Sequence, residues 1–391
     1  MYVFNICNII IMNSTFKSLF LLDKETVHLN HGSFGACPKP IFESLISWQK
    51  KIESNPAKFL AFDIYNHLEE SRLSLSEYIN CNKNDIVFFP NPSTALNTVI
   101  KSLDLKKNDE ILTTNHEYGA LDKTWNFICK KRESKYIKQK INLPLNSKED
   151  FIKEFVKGIN NKTKVIFISH ITSPTGLIFP VEEVCKIAKE NKIFCIIDGA
   201  HVPGHIKLDL KKLDPDIYTG ACHKWMCAPK GTSFLYAKKN IQDDIDPLVI
   251  SWGYDAEIPG ISKFLDYHQW QGTNDPSAYL TLPDIIKFLN DYDWINVSKN
   301  CREINIQAKE LVGNSLNKKP ISSNEFIGQM TSFEINCKYP IDLMKTFYEK
   351  YKLAVPIFQW EDKVLLRFSI QAYNSLDDIE KLIKIMKEMR L

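Results

Sequence analysis

The chain has 391 residues, 44% of them hydrophobic and 25% charged, with a formal net charge of +3 from 50 basic and 47 acidic side chains. That length accommodates a large domain, a smaller one and a sizeable core. The near balance of charge argues against a polyanionic partner such as nucleic acid. Lysine pairs such as Lys50–Lys51, Lys106–Lys107, Lys130–Lys131 and Lys211–Lys212 are scattered, without clustered stacking aromatics, and read as solvated faces.

In chain order, the first twelve residues (MYVFNICNIIIM) are apolar but carry no Lys or Arg. They lack the positive start of a secretory signal and the roughly 20 apolar residues of a membrane span. Met12 offers an alternative start, and a cytoplasmic protein with no membrane segment is expected. Leu29 to about Phe62, with Gly32, Gly35, Pro38 and Pro40, reads as an irregular arm leading into helices. From about residue 85, short apolar strands alternate with helices. Asp85–Phe89 is a strand and Ser93–Leu103 a helix. Lys164–Ser169 is a continuous apolar run of the kind buried on both faces. Pro180–Asn191 starts with Pro and carries Glu182 and Glu183 in its first turn, as a helix should. Ile193–Ile197, Asp216–Thr219 and Thr232–Tyr236 are further strands. This alternation predicts an α/β fold with a mainly parallel sheet and helices on both faces.

After about residue 285 the texture changes to helices at 292–317, 341–351 and 375–391, separated by strands including Met330–Ile335 and Lys363–Ile370. The expected division is a tail over 1–28, a large domain with its arm over 29–285, and a smaller C-terminal α+β domain over 286–391. None of the ten cysteines forms a CxxC pair, so a zinc knuckle or dithiol redox site is disfavoured and reduced, partly core thiols are expected.

Three polar groups fall at strand ends, where open α/β sheets bind ligands. They are His170–Gly176, Asp198–His201 and His223–Lys224. Upstream, Asn91-Pro-Ser-Thr94 opens a helix whose free N–H groups suit an anion such as phosphate. Together these parts meet the needs of pyridoxal 5′-phosphate (PLP). Its aldehyde needs a lysine amine for a Schiff base, its ring nitrogen an acidic partner, its phosphate N–H groups and hydroxyls, and its ring a flat neighbour.

Asp216-Ile-Tyr-Thr-Gly-Ala-Cys-His-Lys224, followed by Gly231-Thr-Ser-Phe-Leu235, resembles the class V aminotransferase signature around the PLP lysine, departing from it at Cys222. The chain resembles most closely the isopenicillin N epimerase-like branch. The segments that carry this resemblance are Leu29–Pro38, Asn97–Ile100, Thr113–Ala120, Thr172–Gly176, Asp198–Gly204, Cys222–Trp225, Gly272–Asp275 and Leu365–Ser369, spread over nearly the whole chain. The resemblance implies a PLP-dependent fold of type I with a sheet of the seven-stranded kind. It implies Lys224 as the Schiff-base lysine and α-carbon proton carrier, and Asp198 as partner of the ring nitrogen. His201 and Ser173 would contact the ring hydroxyl. Ser93, Thr94 and His223 would hold the phosphate, with Gly272 and Thr273 supplied by the other subunit of a homodimer. His116 would stack on the ring, with Tyr118 as its rival. Arg367 would bind the carboxylate of an amino-acid substrate, near His31.

Structural alternatives stand beside these roles. Ser93, Thr94 or Asp198 could be helix caps, and His223 or His116 packed histidines. Arg367, inside an apolar strand, needs an anion, either substrate or an internal Asp or Glu. His28-Leu-Asn-His31 lacks the carboxylate or thiol spacing of a metal site, so no metal is expected, and no GxGxxG supports a dinucleotide site. Epimerisation and C–S bond cleavage are the first reactions to consider, with transamination and cysteine desulfuration (or selenocysteine lyase chemistry) as alternatives. A non-catalytic PLP-binding protein is the non-enzyme reading. Residues 315–332 contain no cysteine, which disfavours a persulfide-carrying desulfurase. His116, Tyr118 and His31 are the candidates for a second proton donor.

Overall fold

The computed structural model describes residues 16–391. The readings of MYVFNICNIIIM and of Met12 lie outside the described residues. Seven strands form the central sheet: β1 (Ile86–Phe89), β2 (Glu110–Thr114), β3 (Lys135–Gln139), β4 (Thr163–Ser169), β5 (Phe194–Asp198), β6 (Ile217–Ala221) and β7 (Ser233–Ala237). Their order across the sheet is β1-β7-β6-β5-β4-β2-β3. β7 runs antiparallel to both neighbours, and the pairs from β6 to β3 are all parallel. β7 reverses because it follows β6 through a loop with no crossover helix, whereas parallel neighbours need one.

Alternation along each strand splits the core in two. Val165 and Phe167 of β4 pack on one face with Leu96 and Val99 of the helix Pro92–Ser102 and with Leu121 and Trp125 of the helix Gly119–Arg132. Ile166 and Ile168 face the other side with Val184 and Ala188 of the helix Val181–Glu190. That second core continues without a break into the C-terminal elements. The strands read from sequence are present within a residue or two. β3 is half-exposed at the sheet edge, and its sequence Lys-Tyr-Ile-Lys-Gln carries charge where a buried run would not, so periodicity does not single it out.

The supposedly irregular arm contains a 16-residue helix, Lys39–Ser54. Pro38 and Pro40 suggest a loop, but proline is tolerated in the first helical turn, where its missing N–H costs nothing. At the C-terminal end, β8 (Met330–Ile335), β9 (Ile357–Trp360) and β10 (Lys363–Ser369) form an antiparallel sheet of order β9-β10-β8. Val27–His28 pairs in parallel with Leu353–Ala354, and the Ser369 amide donates to the Leu29 carbonyl at 2.8 Å. These bonds hold the arm against the C-terminal elements and bring residues 31–35 to the loop after β6. No helix among the described residues is long and apolar enough to cross a membrane.

Candidate active site

The carboxyl ends of β4 and β5 lie side by side, with Ser169 in register with Asp198, and the turn after β6 delivers Lys224 to the same place. These three residues line a cavity of about 390 Å³. Burial, and the nearby Arg367, lower the Lys224 amine to about 8 against the opposing pull of Asp198. An amine so lowered is a usable nucleophile near neutral pH. The Asp198 Oδ1 accepts from the Ala200 amide at 2.9 Å, and burial pushes its carboxyl up.

Two cavity histidines flank the lysine. The Lys224 Nζ lies 3.1 Å from His201 Nε2. The His223 Nδ1 lies 3.1 Å from the Thr232 carbonyl, which only accepts, so that nitrogen carries the proton. Burial, with Lys224 alongside, holds His223 down to about 4 and His201 well below its usual value. Both are neutral at ordinary pH.

The cavity opens at the N-terminus of the helix Pro92–Ser102. Asn91 caps it, accepting from the Thr94 amide at 2.9 Å and from the Thr94 hydroxyl at 3.1 Å. Thr94 is thereby used in the cap, while Ser93 lines the cavity. Gly272, at φ 112°, and the exposed Thr273 are not among the residues lining it.

Arg367 lies in β10, 3% exposed. Its Nη2 donates to the Ser33 hydroxyl at 3.0 Å, and its Nη1 donates to the Ser173 carbonyl and, at 3.4 Å, to the Ser173 hydroxyl. Ser33 and Ser173 line the cavity. The buried Nε has no partner among the described residues, and no acidic group offsets the burial that lowers the guanidinium to about 10. A buried cation without a counter-charge is costly, so the internal Asp or Glu considered from the sequence is not what Arg367 serves.

Two expected residues are not brought to the cavity. His116 is fully buried, with Nδ1 2.9 Å from the Thr175 hydroxyl, Nε2 2.9 Å from the Ile141 carbonyl, and its ring against Phe179 and Trp360. Both nitrogens are spent inside the protein, and the neighbouring Tyr118, 45% exposed, lines the cavity instead. His31 is also buried. Its Nδ1 meets the Tyr373 hydroxyl and its Nε2 the Lys224 carbonyl, both at 2.9 Å. It braces the lysine's backbone and is not among the residues lining the cavity. Among the described residues no group of His, Cys, Asp and Glu is arranged to hold a metal ion.

Sequence reasoning missed Ser33, Phe34, Ser169 and Glu117. The Glu117 carboxylate accepts from the Ser169 amide (2.8 Å) and hydroxyl (2.6 Å) and from the Thr114 hydroxyl (2.7 Å), tying the turn that carries Tyr118 to the end of β4. Burial pushes it up to about 7. The recoverable signal for Ser33 and Phe34 was the Gly32-Ser-Phe-Gly35 motif. Gly35, at φ 66°, passes so close to the His223 carbonyl that a Cβ would collide with it. Gly204, at φ 81°, lies equally tight against the Trp225–Met226 backbone. Only glycine permits either approach.

These residues fit pyridoxal phosphate. There is a lowered amine, a buried carboxyl with one oxygen engaged, a serine at an open helix N-terminus, and a buried guanidinium lacking a counter-charge. The aminotransferase class-V family model matches residues 37–382. Isopenicillin N epimerase of Amycolatopsis lactamdurans is 28% identical over 385 residues, covering 94% of this chain and 96% of that one. Hercynylcysteine sulfoxide lyase of Schizosaccharomyces pombe is 24% identical over 380 residues, covering 95% and 96%. Among solved structures, a cysteine desulfurase from Thermococcus onnurineus NA1 superposes with a TM-score of 0.83 at 21% identity, covering 96% of this chain and 97% of that one. The cystine C–S lyase C-DES gives 0.81 at 19%, covering 95% and 98%. At such identities these structures speak for the fold alone. The chain is a pyridoxal 5′-phosphate-dependent enzyme, of fold type I, belonging to the class-V aminotransferase family.

Proposed function

We propose that this enzyme is a C–S lyase, cleaving a cysteine or S-substituted cysteine by β-elimination. The carrying observation is the set of proton-bearing groups around the cavity. It holds a single amine, Lys224, and no cysteine. An elimination needs one base at the α-carbon and no thiol on the protein. The absence of a thiol at the cavity and in residues 315–332 speaks against a persulfide-carrying desulfurase.

Bound pyridoxal phosphate supplies the electron sink for the bond broken at the α-carbon. In this reading Lys224 holds the cofactor and then takes the α-proton on Nζ. Asp198 keeps the ring nitrogen protonated, and His201 and Ser173 serve the ring hydroxyl. Ser93 and His223 hold the phosphate, joined by Gly272 and Thr273 of a second subunit in a homodimer. Tyr118, at the cavity where His116 is not, would pack against the ring. Arg367 receives the substrate carboxylate, with the fixed fork that suits bidentate recognition. The C–S bond then breaks, the sulfur leaves as a thiol or sulfide, and water converts the remaining three-carbon fragment to pyruvate and ammonia.

Epimerisation is the second reading. The Tyr118 hydroxyl at the cavity favours it, since a two-base inversion needs another proton donor, as does the likeness to isopenicillin N epimerase. Incubation with L-cysteine, S-alkyl-L-cysteines and their sulfoxides, with pyruvate measured together with the released sulfide, thiol or sulfenic acid respectively, tests the proposal. Stoichiometric pyruvate supports the lyase. Inversion at the α-carbon in deuterated water without pyruvate would replace it with the epimerase.

A further inference from the structure

His201 faces Lys224 on one side and Trp225 on the other. The Trp225 indole nitrogen lies 3.3 Å from His201 Nδ1. An indole N–H only donates, so Nδ1 must present its lone pair, and in a neutral imidazole the proton then sits on Nε2. That Nε2 is the atom 3.1 Å from the Lys224 amine. An N–H aimed at an amine is satisfied by a neutral amine and opposed by an ammonium, which has no lone pair to accept with.

A second histidine supports the first. The Gln329 amide donates to His205 Nε2 at 2.6 Å, so His205 carries its proton on Nδ1, which donates to the His201 carbonyl at 3.0 Å. The His205 ring lies 4.2 Å from the Trp225 ring, centre to centre, and both are buried. Gln329 immediately precedes β8, so the C-terminal sheet braces the residue that positions Trp225.

We propose that Trp225 is a positioning residue for Lys224. Its indole N–H locks His201 into the tautomer that presents an N–H to the lysine and so favours the free amine, and His205 holds that arrangement in place. In the loaded enzyme the same N–H makes His201 a donor toward whatever acceptor stands where the amine stood. The charged or titratable groups around His201 and Lys224 are Asp198, Arg367, His205 and His223. None of them supplies the Nδ1 contact.

Two measurements on cofactor-free protein test this independently of turnover and of the lyase assignment. With ¹⁵N-histidine labelling, the His201 resonances should report the Nε2–H tautomer. An Nδ1–H tautomer in the wild type would overturn the proposal outright. The second measurement is the pH dependence of pyridoxal phosphate capture, whose midpoint reports the free amine. Trp225→Phe keeps the ring but removes the N–H, allowing His201 to accept from an ammonium, so the midpoint should rise by about one unit, roughly tenfold slower capture below it. His205→Gln, which can still accept from Gln329 and donate to His201, should keep the wild-type midpoint, and His205→Leu should not. An unmoved midpoint in both Trp225→Phe and His205→Leu, with both folded, would overturn the assignment.

Discussion

The Arg367 guanidinium in the C-terminal strand β10 donates to the Ser33 hydroxyl of the N-terminal arm at 3.0 Å and also reaches Ser173 after β4. Three segments distant in sequence thus meet around one buried cation, with both serines at the cavity surface. Arg367→Gln should raise KM for amino-acid substrates by roughly 10- to 100-fold, the worth of a charge-assisted pair. The change in kcat should be smaller, because the contact is present in the ground state and the transition state alike. Steady-state kinetics decide it. An unchanged KM would remove Arg367 from substrate binding.

Lys224 carries the attachment of the cofactor in this reading. Lys224→Ala should abolish the visible absorbance of the lysine-bound cofactor and lower turnover by on the order of 10³-fold or more. The mutant should stay folded, since removing a buried amine relieves a desolvation cost. Absorbance scans of both proteins after incubation with pyridoxal phosphate provide the comparison, and an identical spectrum would refute the role.

Glu117 predicts a pH-dependent stability. Its folded-state pKa, about 7, lies above the ordinary glutamate value of 4.5 because of burial. Between those values the folded chain binds more protons at this site than the unfolded chain, so this group's contribution to stability falls as pH rises from about 4.5 to about 7. In Glu117→Gln that slope should vanish, and the difference in Tm between the two proteins should change steadily across the window and level off above it. Thermal melts at half-unit steps measure it; parallel curves would count against the shift.

The proposed homodimer would need a surface. Ile250, Trp252 and Ile258 are 72%, 88% and 90% exposed in the single chain, on a segment that precedes Gly272 and Thr273. Exposed apolar residues gathered in this way mark interaction sites. Trp252→Asp combined with Ile258→Asp should convert a dimer to a monomer in sedimentation. It should also weaken cofactor retention, if Gly272 and Thr273 act across the interface. A double mutant that remains dimeric would place the interface elsewhere.

Much of the cavity lining was legible because its centre is local. Asp198 and Lys224 follow buried strands directly, and the β-branched runs that bury those strands also place their ends at the sheet's carboxyl edge. Ser93 follows from a helix start, which is equally local. The choice between His116 and Tyr118 was not legible. The two are two residues apart on one turn, and only Phe179, Trp360 and the Ile141 carbonyl, all distant in sequence, draw the histidine inward. The burial of His31 was not legible for the same reason, since its partners Tyr373 and the Lys224 carbonyl belong to other parts of the chain.

Strand and helix periodicity, turn glycines and strand-end polar groups are written in neighbouring residues, so the sequence by itself determined the α/β architecture and, with the family signature, the cofactor, and it placed Lys224 directly after a strand end. Which hydroxyls meet Arg367, which tautomer His201 adopts and which aromatic borders the cavity were decided only by the tertiary structure. Each depends on a donor or an apolar wall arriving from a segment tens to hundreds of residues away, and hydrogen bonding at about 3 Å is settled by packing that no local pattern encodes.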